Sequence, residues 1–275
     1  MGVPLPLADD VEASSGGCAS IPRISIEQRR KSERKRLPSW FRTTLPTGIA
    51  QSKFNETKLN VKEHGLNTVC EEARCPNIHD CWSRGTATFM IAGEVCTRGC
   101  RFCAVGTKRT PPPLNPNEPE ELAEAVDRMG VKHAVITVVN RDDLPDGGAE
   151  HYRKCILAVH ERCPNVGLEL LCSDLDGNLE ALALLLDELP LRVFAHNVEC
   201  VPRLDKIVRD PRASFQQSID ILREARRLRP DVAIKSSIMV GVGEKDGEVL
   251  DAMKLLRKAG VELITLGQYL QPSWK

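Results

Sequence analysis

The sequence lacks any long apolar run. Nothing in its 275 residues approaches the ~20 apolar residues of a membrane span, so no membrane partner is expected. It also lacks net charge, because Lys plus Arg and Asp plus Glu each number 38. Without an excess of either sign there is no electrostatic footprint for nucleic acid or an anionic surface. No secretory signal is legible at the start, and the chain is too long for a small disulfide-stapled scaffold. With 41% hydrophobic and 28% charged residues, the composition is that of a soluble globular chain. Its length suits one large α/β domain or two small ones.

Cysteine is in excess. Of eleven cysteines, six fall within 34 residues: Cys70, Cys75, Cys81, Cys96, Cys100 and Cys103. The others, Cys18, Cys155, Cys163, Cys172 and Cys200, are scattered. In a reducing compartment such clustering points to metal ligation.

Three regions are expected. Residues 1–36 carry early Pro, Ser and Gly and then a basic run from Gln28 to Arg36. They read as a mobile extension, with Asp9, Asp10 and Glu12 arguing against a clean transit peptide. Residues 37–85 hold a short helix near 58–64 and the first three clustered cysteines. From residue 86, strand-length β-branched runs alternate with amphipathic helical stretches. The expected strands are 87–92, 134–139, 168–172, 192–198, 233–240 and 263–270. The expected helices are 119–129, 149–162, 178–188, 214–228 and 247–259, with Gly130 and Gly260 as stops. Parallel strands need such crossovers, so residues 86–275 should form a parallel sheet curled into a partial (β/α)6 barrel. Sites should sit at the strand C-terminal ends.

Cys96-x3-Cys100-x2-Cys103 directly follows the first strand, at that mouth. Three thiolates on one short loop suit three irons of a [4Fe–4S] cube, and the fourth iron is left open. An open position is the mark of a catalytic metal. A zinc knuckle would want paired C-x2-C spacing and a fourth ligand. The second set, Cys70-x4-Cys75-x5-Cys81, has metal-ligand spacing and lies beside the first, which makes it a second cluster.

The triplet, with Phe102 before its last cysteine, resembles the signature of the radical S-adenosylmethionine (SAM) superfamily. The segments TVCEEARCPN (68–77), CTRGCRFCAV (96–105), NRDDLPDGGAEH (140–151), AHNVE (195–199), VRDPRASFQQS (208–218), IMVGVGE (238–244) and TLGQYLQPS (265–273) resemble the lipoyl synthase family. The likeness covers residues 37–275 and is nearer to eukaryotic organelle members. It implies two [4Fe–4S] clusters and SAM as cofactors. Cys96, Cys100 and Cys103 would carry the catalytic cluster. Cys70, Cys75 and Cys81 would carry an auxiliary cluster that gives up its sulfur. It further implies insertion of two sulfurs, at carbons 6 and 8, into an octanoyl chain on a carrier protein. The implied partners are that octanoylated lipoyl-carrier protein or domain and a reduced electron donor such as ferredoxin. The implied place is the mitochondrial matrix, with a plastid as alternative.

Polar residues beyond the later strands are candidates to hold SAM: Asn140, Asp142, Asn197, Glu199, Arg212 and, on the fifth strand, Lys235. Carboxylates and amides can take its amino group, and Arg or Lys its carboxylate. Asp142, Asp143 and Asp146 also suit turn chemistry ahead of Gly147-Gly148. His196 reads as a core histidine, and Gly241-Val-Gly243-Glu244 as a strand-to-helix turn. The family carries a C-terminal Arg-Ser-Ser-Tyr motif whose serine is the fourth auxiliary ligand; the 275 residues contain no such motif. His79 takes the place of a usual glycine between the second and third cysteines and is a candidate substitute ligand. The rival readings are a catalytically impaired or non-catalytic iron–sulfur paralogue, and another two-cluster radical SAM enzyme that inserts sulfur.

Overall fold

Alternate residues from 86 to 91 are buried, whereas burial in 118–129 falls on Leu122, Ala123, Val126 and Met129. The first period is that of a strand with one face covered, and the second that of an amphipathic helix. The computed structural model describes residues 45–63, 68–72 and 75–271. The expected extension 1–36, its basic run, His64 and Ser273 lie outside the described residues.

Three helices come first: α1 (Ile49–Glu63), α2 (Val69–Glu72) and α3 (Ile78–Ser83). β1 (Thr86–Ile91) follows, then a two-residue pair, β2 (Val95–Cys96) and β3 (Gly106–Thr107). The remaining order is α4 (Glu118–Met129), β4 (His133–Val138), α5 (Ala149–Arg162), β5 (Gly167–Leu171), α6 (Leu179–Leu186), β6 (Val193–Ala195), α7 (Asp205–Val208), α8 (Phe215–Leu228), β7 (Ala233–Val240), α9 (Asp246–Lys258) and β8 (Leu263–Gln268). Helix ends carry their usual devices. Pro119 sits in the first turn of α4, and Gly130 closes it at φ 62°. The Asn178 side chain accepts the Ala181 N–H at the start of α6, and Ser214 Oγ accepts the Gln217 N–H at the start of α8.

Six strands form one all-parallel sheet in the order β1-β4-β5-β6-β7-β8. Helical crossovers join them, and the sheet curls into the half-barrel expected from the sequence. Register places Phe89, Ile136, Leu170, Phe194 and Ile234 in one row across five strands. All five side chains are buried in the core. Phe194, between Leu170 and Ile234 in that row, is 0% exposed. Phe194→Ala is expected to cost about 3–5 kcal/mol of unfolding free energy, checked by the shift of the urea midpoint.

The fourth expected strand, 192–198, is longer than the three-residue β6 observed. The His196 N–H still donates to the Lys235 carbonyl, but the chain then leaves the ladder. At Glu199 it turns through φ 66° and meets β7 only at an isolated bridge to Ile238. The helix expected near 58–64 is longer than read, starting at Ile49. Its first half is polar, and only Phe54, Thr57 and Val61 are buried. Among the described residues, no helix is long and apolar enough to cross a membrane.

Candidate metal centre

The loops beyond β1, β4, β5 and β6 meet at one rim of the half-barrel. The Cys96–Cys103 loop is pinched at its base by pairing of Cys96 with Thr107 and by the Lys108 N–H donating to the Cys96 carbonyl at 3.0 Å. Two of its sulfurs accept backbone N–H groups. Arg98 donates to Cys96 Sγ at 3.3 Å and Asp210 donates to Cys100 Sγ at 3.4 Å, while burial pushes the Cys103 thiol up and the nearby Val105 and Ala104 amides oppose the rise. Such donors stabilise sulfur-borne negative charge.

Arg98, inside the loop, is buried and splays across three carboxylates. Its Nε and Nη2 grip Asp142 at 2.9 Å, Nη1 meets Asp174 at 2.6 Å, and Nη2 reaches Asp176 at 3.1 Å. Burial works against its charge, but the Asp142 hydrogen bonds and the Asp174 field raise its pKa further above the ordinary range. Asp174 is pushed up by burial, yet Arg98 holds its carboxyl below the usual range. Asp142 also accepts from Thr97 Oγ1 at 2.8 Å and from Arg212 Nη1 at 3.2 Å.

The 208–212 segment laces the other side of the loop. The Val208 carbonyl accepts the Arg101 N–H, and Asp210 Oδ2 accepts the Gly99 N–H at 2.9 Å. Arg212 donates to the Thr97 carbonyl at 2.6 Å and to Asp210. The Arg212 hydrogen bond, then the Gly99 and Arg212 amides, hold the Asp210 carboxyl far below its ordinary pKa despite desolvation.

Of the candidate SAM residues, Asn140, Asp142 and Arg212 are thus tied directly to the cysteine loop; the Asn140 carbonyl accepts the Thr97 N–H at 3.1 Å. Glu199 hydrogen-bonds Asn197, is pushed up by burial, and its field reaches Cys103. Phe102 packs half-buried against the core. Lys235 lies within β7 rather than at the rim, its Nζ 2.7 Å from Glu169 Oε1 on β5; His133 also reaches Glu169. Asp146 accepts the Gly148 and Glu150 N–H groups at 2.9 Å, as turn chemistry requires. Glu244 likewise closes the Gly241–Gly243 turn on two backbone amides. Arg98, Asp174 and Asp210 were not singled out by sequence reasoning. Two of them lay inside quoted motifs, Arg98 between cysteines and Asp210 two residues before Arg212.

The other trio lies on the helical segment that packs against β1. Cys70 is in α2, Cys75 in the following turn and Cys81 in α3. The Cys75 N–H donates to the Cys70 carbonyl at 3.0 Å, which draws the first two together. Burial raises the Cys81 thiol, and the Cys75 and Cys70 charges raise it further. His79 stacks its ring 4.5 Å from Phe54, on α1.

Both trios fit an iron–sulfur core better than a single ion. A tetrahedral ion with metal–sulfur bonds near 2.3 Å draws its thiolates to roughly 3.8 Å of one another. Neither trio is that compact: among the described residues, the group with all ligand atoms within 4.8 Å is Glu118, His151 and Cys155. Within each trio the thiols nevertheless repel one another's ionisation, Cys96 acting on Cys103 and Cys103 on Cys100. A larger cationic core between them would let all three ionise together.

Residues 90–264 match the radical SAM superfamily, and residues 23–75 match the N-terminal domain of lipoyl synthase of that family. Lipoyl synthase of Halorhodospira halophila is 50% identical over 240 residues, covering 87% of this chain and 71% of that protein. The chain belongs to the lipoyl synthase family. The mitochondrial lipoyl synthase of Bos taurus is 49% identical over 251 residues, 90% of this chain and 66% of its own length. The chain thus spans just under two thirds of that lipoyl synthase. The crystal structure of methylornithine synthase superposes with a TM-score of 0.53 at 13% identity, over 80% of this chain and 60% of that one; it shares the fold alone. Membership of the lipoyl synthase family implies SAM and [4Fe–4S] clusters, which the two trios fit.

Proposed function

We propose that this chain inserts two sulfur atoms, at carbons 6 and 8, into a protein-bound octanoyl group to form lipoyl-lysine. The observation that carries the reading is the pair of three-cysteine sets, one at the barrel rim and one on the helical segment against β1, in a member of the lipoyl synthase family. When bound, the clusters and SAM supply the one-electron chemistry and the sulfur that unactivated C–H bonds require.

The chain's own residues bind and orient. Cys96, Cys100 and Cys103 would hold the catalytic cluster. Cys70, Cys75 and Cys81 hold the auxiliary one. Residues 37–85 therefore serve as the sulfur-supplying region and 86–275 as the radical-generating barrel. Arg98 and Asp210 fix the rim loop. Asn140, Asp142, Asn197 and Glu199 suit the amino group of SAM, Arg212 its carboxylate, and Phe102 an apolar wall, whereas Lys235 is committed to Glu169 away from the rim. The partners are an octanoylated carrier protein or domain and a reduced donor such as ferredoxin. The compartment is the mitochondrial matrix, a plastid being the alternative; relatives named as mitochondrial support the first.

The test is anaerobic reconstitution with iron and sulfide counted per chain, alongside conversion of an octanoyl-lysine peptide to lipoyl-lysine. About eight irons are expected, falling to about four when Cys70, Cys75 and Cys81 become alanine, with product formation lost. Four irons in both proteins would remove the auxiliary cluster from this reading.

A further inference from the structure

Ala92 is where the chain leaves β1, four residues before Cys96. It is an alanine at φ 69°, a left-handed conformation that L-residues other than glycine resist. It is also fully buried. Both faces of its backbone are held by charged side chains. The Ala92 N–H donates to Glu118 Oε2 at 2.8 Å, and its carbonyl accepts from Arg141 Nη1 at 3.3 Å.

Those two groups are held in turn. Glu118, at the start of α4, pairs with His151 Nε2 from the first turns of α5. Arg141 is locked by Asp143 through two hydrogen bonds of 2.8 Å. Gly93, next in the chain, has φ 92° and nothing within 4 Å of where a Cβ would stand, so no wall fixes it. The grip on the entering strand therefore falls on Ala92. The same contacts account for the compact Glu118–His151–Cys155 group. Glu118 and His151 are satisfied by Ala92 and each other, and burial pushes the Cys155 thiol far up, keeping it protonated.

We propose that Glu118 and Arg141 are positioning residues that lock Ala92 in its left-handed conformation and thereby aim the Cys96–Cys103 loop, with His151 orienting Glu118. The proposal rests on the reading of that loop as the SAM-cluster site. Arg98 fixes the far side of the loop; the Ala92 clamp fixes its point of entry. A small rotation there displaces everything downstream, and reacting groups tolerate little misplacement.

The experiment uses reconstituted holoenzyme and reads three quantities: iron per chain, the change in the reduced cluster's electron paramagnetic resonance signal on adding SAM, and kcat and KM for SAM separately. Glu118→Ala is expected to keep its iron, weaken the response to SAM and raise KM for SAM about tenfold. Glu118→Gln retains an acceptor for the Ala92 N–H and should recover most of the loss. Glycine adopts the left-handed conformation freely, so Ala92→Gly combined with Glu118→Ala should recover it as well. Arg141→Met cuts the carbonyl grip alone and should resemble Glu118→Ala, so a folding defect in one variant leaves the other decisive. The proposal is overturned if both cutting variants respond to SAM as the parent does, or if neither glutamine nor glycine recovers any of the loss. A parent chain with no SAM-responsive signal would instead overturn the site reading itself.

Discussion

Arg98→Ala is expected to lower the unfolding free energy by about 3–5 kcal/mol, against a typical total of about 5–15. The Arg98 and Asp174 side chains are each 2% exposed, so removing the guanidinium strands a buried carboxylate without its counter-charge. Asp142 loses its bidentate partner in the same step. Arg98→Lys returns the charge but not the planar fork that spans separate carboxylates, and should stay well below the parent. Pairing Arg98→Met with Asp174→Asn should be milder than Arg98→Met alone, because the stranded charge is gone. Urea unfolding of the anaerobic protein checks all three. A parent-like midpoint for Arg98→Ala would sink the account of the network.

The second large effect is a loss of stability at mildly acidic pH. His196 is 5% exposed; its Nδ1–H donates to the Cys172 carbonyl and its Nε2 accepts from Ser218 Oγ, each at 2.9 Å. Burial lowers its pKa to about 4, with Arg209 and Arg98 helping and Asp174 opposing. An unfolded histidine titrates near 6.5, so the unfolded chain takes up the proton first as pH falls. The stability contributed by the neutral ring is therefore full above about pH 6.5 and is lost progressively down to about pH 4. The loss amounts to about 3 kcal/mol over that window. His196→Gln keeps a donor and an acceptor but no titration, and should flatten this part of the profile. Equal slopes for parent and variant between pH 7 and pH 5 would falsify the assignment.

What could be read from the sequence was what is local. The strand-length apolar run at 87–92 and the amphipathic stretch at 119–129 marked their elements to within a residue or two. The two cysteine sets were visible because their members lie a few residues apart. His196 was identified as a core residue from the apolar run around it. The end of β6 was not legible, because it is set by a backbone turn at Glu199 rather than by a change in hydrophobicity. The Arg98 network was not legible either. Nothing near Arg98 in the chain distinguishes it from the exposed Arg101; only folding brings Asp174 and Asp176 to it. Asp142 was marked as a SAM candidate by its place after a strand. The same place makes it the carboxylate on which Thr97, Arg98 and Arg212 converge.

The cysteines of the rim loop are neighbours in the chain, but the groups that aim them are not. Cys96 to Cys103 spans eight residues, so the three thiolates can meet iron at little entropic cost before much else has formed. Arg98, by contrast, finds Asp142, Asp174 and Asp176 across sequence separations of 44, 76 and 78 residues. Asp210 reaches Gly99 across 111. Contacts of that range form late in a parallel α/β chain. Loading and aiming are therefore separable in time. On the proposed reading of this loop, iron content alone does not report that β5 and the 208–212 segment have closed around it.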